Sequence, residues 1–159
     1  MDEKNSSLVN IVRLLGSIVF CQAIGFAGAI FTMPAINSWY STINKPSFNP
    51  PNWIFAPVWT ILFLLMGISL YIIWKKGLDT KAVIVFNSQL ALNLLWSILF
   101  FGLKLPGLAF IDLILLLAAI FYTIVIFYKI SKTAGLILLP YIVWVCFAGV
   151  LNLAIFILN

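Results

Sequence analysis

The chain has 159 residues, of which 64% are apolar and 8% charged, against roughly a quarter charged in an ordinary soluble domain. Nine basic and four acidic side chains cannot wet a soluble globule, a disordered chain would need far more charge, and two Cys close at most one bridge. With no His, Ser-His-Asp and Cys-His catalysis, imidazole metal ligands and His-ligated haem are excluded. A mean hydropathy of +1.18 predicts an integral membrane protein, and the length fits one domain, residues 1–159. The net charge of +5 reads as membrane orientation rather than as a nucleic-acid footprint. No metal site and no catalytic acid–base set is predicted.

A hydrocarbon core about 30 Å thick needs about 20 apolar residues at a rise of 1.5 Å each. Five runs qualify, about 8–30, 53–74, 82–103, 107–129 and 136–158. The prediction is an all-α fold, a polytopic membrane bundle of five transmembrane helices with a long ordered loop between helices 1 and 2. A membrane barrel would instead show short alternating segments. The first run carries Ala27-Gly28-Ala29, which resembles a signal-peptide cleavage site. Its flank is not basic and its apolar core is too long for a signal peptide, so it is read as a retained span.

In chain order, the first span carries Ser17, Cys21, Gly25 and Ala29, small side chains on one face that suit close helix packing. The connection at 31–52 holds Pro34, Pro46, Pro50 and Pro51, with Trp39, Tyr40 and Phe48, and runs into Trp53. On composition alone it reads as an interfacial anchor. A lid over a cavity is the sharper alternative. In the second span Phe55, Trp59, Phe63, Gly67 and Tyr71 recur every four residues. They form an aromatic wall with a gap at Gly67, fit for helix packing or for a large flat ligand.

The third span repeats the spacing with Gln89, Asn93 and Ser97, beside Trp96 and Phe100. Such polar groups must face protein or a cavity. They serve interhelical hydrogen bonds or a ligand, and Asn93, at mid-span, is the candidate for the ligand. Asp112 in the fourth span is read as structural. It sits near a helix start, where the macrodipole favours negative charge, and a neighbouring Trp or Asn would satisfy it. The fifth span places Trp144, Ala148 and Asn152 at four-residue spacing, with Tyr141 nearby. Cys21 and Cys146 are read as small apolar fillers. Lys4, Lys75, Lys76, Lys81, Lys129 and Lys132, with Arg13 snorkelling, lie on the N-terminal side, against Lys45 and Lys104 on the other. That count predicts a cytoplasmic N-terminus.

Three segments carry a resemblance. They are Trp39-Tyr40-Ser41-Thr42-Ile43-Asn44-Lys45-Pro46-Ser47-Phe48-Asn49-Pro50-Pro51-Asn52-Trp53 running on through Pro57-Val58-Trp59-Thr60, then Gln89-Leu90-Ala91-Leu92-Asn93-Leu94-Leu95-Trp96, then Pro140-Tyr141 through Leu151-Asn152. The chain resembles the translocator protein family, also called tryptophan-rich sensory proteins or peripheral-type benzodiazepine receptors. The resemblance implies a five-helix bundle, often dimeric, with a pocket open toward the long-loop end and that loop as lid. It implies binding of porphyrins and haem-like tetrapyrroles as ligands, of isoquinoline carboxamide drugs and, in animal members, of cholesterol. No cofactor is required.

Matched by motif position, the implied ligand-binding residues are Tyr40, Pro50, Phe55, Trp59, Phe63, Asn93, Trp96, Trp144 and Ala148. The end of the fifth span, Val150 to Asn159, lacks the Tyr and the basic residue of the animal cholesterol motif. A sterol or other lipid is therefore a weaker partner than a tetrapyrrole. The bilayer is the remaining expected partner. A homodimer is left open, since no clear GxxxG marks an interface. The short tail and basic loops suggest a bacterial plasma membrane. No inverted repeat of the secondary-transporter kind appears, which favours binding and sensing over active translocation. Light-dependent porphyrin degradation and a purely structural or regulatory membrane role are the alternatives.

Overall fold

The computed structural model describes the backbone from Glu3 to Asn159 and side chains from Ser7 onward. Expectations resting on Met1, Asp2 and Lys4 lie outside the described residues. The five apolar runs become five helical spans, Ser7–Ile36, Asn52–Lys76, Thr80–Gly102, Pro106–Ile130 and Lys132–Leu158. The elements are α1 (Glu3–Ile36), α2 (Trp39–Thr42), α3 (Phe55–Lys76), α4 (Thr80–Ser97), α5 (Pro106–Ile130), α6 (Lys132–Ile137) and α7 (Leu139–Leu158). No strand occurs among the described residues. Large apolar side chains such as Leu15, Val19, Ile114, Phe121 and Val143 are exposed around the outside. That is the surface a bilayer covers, so the chain is an integral membrane protein with an all-α bundle.

Local chemistry sets the helix ends. Gly77, at φ 102, stops α3 in a backbone conformation that side chains disfavour. Asp79 then caps α4, its carboxylate accepting from the Ala82 N–H at 3.1 Å. Pro106 opens α5 in the first turn, where its missing N–H costs nothing. Between them, Ile98–Gly102 forms a π-helical turn. The Leu103 N–H donates to the Ile98 carbonyl at 2.7 Å, five residues back. This wider turn lets Phe100 and Phe101 both stay buried.

Helix α1 packs on α3 and α4, α4 on α5, α5 on α7 and α6, and α6 returns to α3. The small stripe of α1 does pack closely. A Cβ at Gly25 would lie 2.5 Å from the Phe63 ring. The gap at Gly67 in the aromatic stripe is a helix crossing, since a Cβ there would sit 2.6 Å from the Ile18 Cα. Similarly, Gly135 lets α6 fold back on the end of α5 beside Tyr128, and Ser69 Oγ donates to the Ala134 carbonyl at 2.7 Å.

Four details differ from the expectations. Helix α1 continues to Ile36 despite Pro34. Ser38 Oγ donates to the Pro34 carbonyl at 2.7 Å and so satisfies a terminal acceptor. The connecting loop therefore starts at 37 rather than 31. The last span begins at Lys132 and breaks at Leu138, just before Pro140, into α6 and α7. Cys21 is buried as expected, whereas Cys146 lies exposed on the outer surface.

Candidate functional site

Helices α3 and α7 stand apart, and aromatic rings fill the space between them. Trp59 lies 6.4 Å from Trp96 and 6.3 Å from Tyr141 between ring centroids. Trp96 stacks on Phe100 at 5.4 Å, and Trp144 meets Phe55 edge-on at 6.1 Å.

Two cavities flank this cluster. The larger, about 340 Å³, lies between α1, α3 and α4. Its walls include Phe55, Trp59, Phe63, Asn93, Trp96 and Phe101. The smaller, about 30 Å³, lies under the loop, against Tyr40, Trp144, Ala148 and Asn152. Phe55, Trp59, Trp96 and Phe101 line both. Small-molecule sites span roughly 300–1,000 Å³, so only the larger cavity has room for a ligand as it stands. A flat ligand wider than that space needs the shared wall of Trp59 and Trp96 to move, joining the two.

The structure thus brings eight of the nine candidate residues, Tyr40, Phe55, Trp59, Phe63, Asn93, Trp96, Trp144 and Ala148, to one or other cavity. The ninth, Pro50, lines neither. Instead its carbonyl accepts from Asn49 Nδ2 at 3.0 Å within the loop.

Polar groups follow the four-residue stripe of α4. Asn93 Nδ2 donates to the Tyr141 hydroxyl at 3.0 Å, and that hydroxyl donates to Gln89 Oε1 at 2.8 Å. Trp96 Nε1 donates to Asn152 Oδ1 at 3.1 Å, while Asn152 Nδ2 donates to the Pro106 carbonyl at 2.7 Å. Interhelical bonding therefore accounts for much of the stripe, with Asn93 also lining the cavity. The Trp59 indole N–H has no acceptor among the described residues.

Asp112 does not gain the Trp or Asn partner expected of it. Both its oxygens are buried without a hydrogen bond, and so is Trp144 Nε1. Asn152 is committed instead to Trp96 and Pro106. Among the described residues no three Cys, Asp or Glu side chains gather, so the cavities offer no such ligand set to a metal ion.

The loop packs inward against the aromatic cluster. Tyr40 is 3% exposed and packs on Phe101 at 5.8 Å, while Trp39 meets Phe100 at 5.5 Å. Phe48 and Trp53, 47% and 73% exposed, have the outward placement of an interfacial anchor. Tyr40 Oη donates to Asn49 Oδ1 at 2.6 Å. Burial pushes the Tyr40 hydroxyl up to about 12. The Lys45 ammonium lies 5.0 Å from the Tyr40 ring and donates to the Ile43 carbonyl at 3.1 Å.

Sequence reasoning missed the contribution of α1. Gln22, Thr32, Met33 and Ile36 all line the larger cavity. Together with Gly25 and Ala29, Gln22, Thr32 and Ile36 recur at three- to four-residue steps, and that was the available signal. Phe101 was missed as well, because an α-helical repeat does not place it beside Phe100.

Fold and site define a helical membrane protein with an aromatic pocket between its helices, beneath an ordered loop. Residues 17–158 match the TspO/MBR family, and the chain belongs to that family. It is 50% identical over 153 residues to tryptophan-rich protein TspO of Archaeoglobus fulgidus, covering 95% of this chain and 99% of that relative. It is 45% identical over 153 residues to tryptophan-rich protein TspO of Chlorobaculum tepidum, covering 94% and 97%. The translocator protein of Bos taurus is 40% identical over 133 residues, covering 80% of this chain and 79% of the relative.

Proposed function

We propose that this protein binds flat apolar ligands of the tetrapyrrole class, porphyrin or haem-like, and serves a sensing or transport role in the membrane. The observation that carries the reading is the cavity of about 340 Å³ walled by Phe55, Trp59, Phe63 and Trp96 with Asn93 among them. Ring faces suit a planar macrocycle, and the unpaired Trp59 N–H and the Asn93 amide suit its polar edge. Lys45, on the loop above, is placed to exchange its contact with Tyr40 for a ligand propionate. The chain's N-terminus is cytoplasmic, a reading supported by the seven-to-two distribution of cations.

Titration of tryptophan fluorescence with protoporphyrin, on protein in lipid nanodiscs and in darkness, tests the reading. Saturable quenching at micromolar ligand or below is expected. Absence of saturation removes the tetrapyrrole and turns attention to sterols or other lipids. Illumination of the same sample separates binding from degradation. Loss of porphyrin absorbance that needs the protein's tryptophans, and that free porphyrin in empty nanodiscs does not show, moves the protein to the enzyme class.

A further inference from the structure

The larger cavity is not covered by the loop along its long side. On α1 its lining runs from Gln22 to Ile36, which at 1.5 Å per residue is about 20 Å of helix. Two of the α1 lining residues, Phe26 and Met33, are 71% and 67% exposed. Facing them, the lining residues Ala56 and Thr60 on α3, and Asn52 just before it, are exposed as well. A cavity whose walls include so many outward-lying residues breaks the side of the bundle. It forms a slit between α1 and α3 that starts at the loop end. At the far end the two helices are tied by Gln22 Nε2, which donates to the Thr60 carbonyl at 2.9 Å.

The loop end, by contrast, is fastened. The Asn44 N–H donates to Asn159 Oδ1 at 2.9 Å, Asn44 Nδ2 to the Leu158 carbonyl at 3.2 Å, and Asn159 Nδ2 to the Asn44 carbonyl at 3.0 Å. These bonds join the loop to the end of α7 across 115 residues of sequence. With Tyr40 bonded to Asn49 and packed on Phe101, entry past the loop requires breaking several contacts together.

We infer that the ligand enters and leaves sideways, through the slit between α1 and α3, from the hydrocarbon of the loop-side leaflet, while the loop stays shut. The inference rests on the binding reading above. A flat apolar molecule already concentrates in hydrocarbon. Edge-on, it presents only the thickness of a ring to the gap beside Ala56, where the lip carries no more than a methyl group. The slit reaches the aromatic cluster directly, because Trp59 and Phe63 line the same cavity.

The test compares two obstructions in nanodiscs, with protoporphyrin delivered from loaded vesicles and loading followed by stopped-flow fluorescence quenching. One closes the loop covalently, using Asn44→Cys with Asn159→Cys in a Cys21→Ala, Cys146→Ala background, bridged by a short bifunctional thiol reagent. The other narrows the slit with Ala56→Phe. Locking the loop is expected to change the loading rate less than about twofold, and Ala56→Phe to slow loading and release together by about tenfold or more, as for any gate on a binding step. Loading blocked by the lock overturns the inference, as does unchanged loading in Ala56→Phe. Faster release in Ala56→Phe overturns it too, since that marks a damaged site and not a narrowed entrance. Absence of saturable quenching in the unmodified protein is a distinct result that sinks the binding reading itself, and the entrance with it.

Discussion

Replacing Gly67 with Ala tests the closest helix crossing in the bundle. The added Cβ would stand 2.6 Å from the Ile18 Cα, and 3.1 Å from both the Ile18 N and Cγ1. Carbon atoms rest at about 3.5–4.0 Å, and the nearest atom here is backbone, which cannot rotate aside. Helices α1 and α3 must therefore separate by about 1 Å, an overpacking cost of about 1–3 kcal/mol. Opposing this, Ala is favoured over Gly within a helix by about 1 kcal/mol.

Gly16→Ala supplies the control, because a Cβ at Gly16 meets nothing within 4 Å. It carries the same propensity gain on α1 without the clash. The difference between the two variants should thus be about 1–3 kcal/mol, with Gly67→Ala the less stable. Reversible unfolding in mixed detergent micelles, read by circular dichroism, measures both. Equal stability of the two variants would refute the crossing, and with it the packing of α1 that forms the cavity's outer wall.

Three further outcomes are expected. Trp59→Ala should weaken protoporphyrin binding by more than about 1 kcal/mol, the scale of a lost aromatic contact; an unchanged fluorescence titration counts against the site. Tyr141→Phe leaves Gln89 Oε1 and Asn93 Nδ2 without their shared hydroxyl. It should cost about 0.6–2 kcal/mol, the span for hydrogen bonds between membrane helices, seen as a lower unfolding midpoint; an unaltered midpoint removes the network from the stabilising contacts. Tyr40 keeps its proton in the folded loop up to about 12, against an ordinary tyrosine value of 10.0. The fold then binds the proton more tightly than the unfolded chain, so the closed loop is unaffected below pH 10 and loses stability as pH rises from there through 12. A phenolate absorbance titration should show a step near pH 12 that Tyr40→Phe removes; persistence of that step in the variant assigns it elsewhere.

The parts legible in the sequence were those governed by local periodicity. Continuous apolar runs make spans because no other structure satisfies a backbone in hydrocarbon, and all five spans were visible that way. Trp59 with Phe63, and Asn93 with Trp96, reach the cavity because three- and four-residue spacing holds side chains on one helical face. Pairings distant in sequence were hidden. Nothing near Asn44 or Asn159 signals that they hold one another, and Gln22 gives no local sign that it reaches the Thr60 carbonyl. The outcome at Asp112 was also out of reach, since whether a buried carboxylate finds a donor depends on the rotamers of two neighbouring helices. The turn at 98–102 broke the α-helical repeat on which the reading depended, and Phe101 was lost with it.

That turn behaves as a helix holding one residue more than an α-helical end would need. Deleting a single position within Ile98–Gly102 should let the segment close as an ordinary helical turn. Everything before it would stay in place, while Phe100 and Phe101 could no longer share the pocket side. A one-residue deletion here is thus a more selective way to empty the floor beneath Trp39 and Tyr40 than trimming either ring. Comparing chains of this family by length at this point alone would sort those that keep the doubled phenylalanine floor from those that do not.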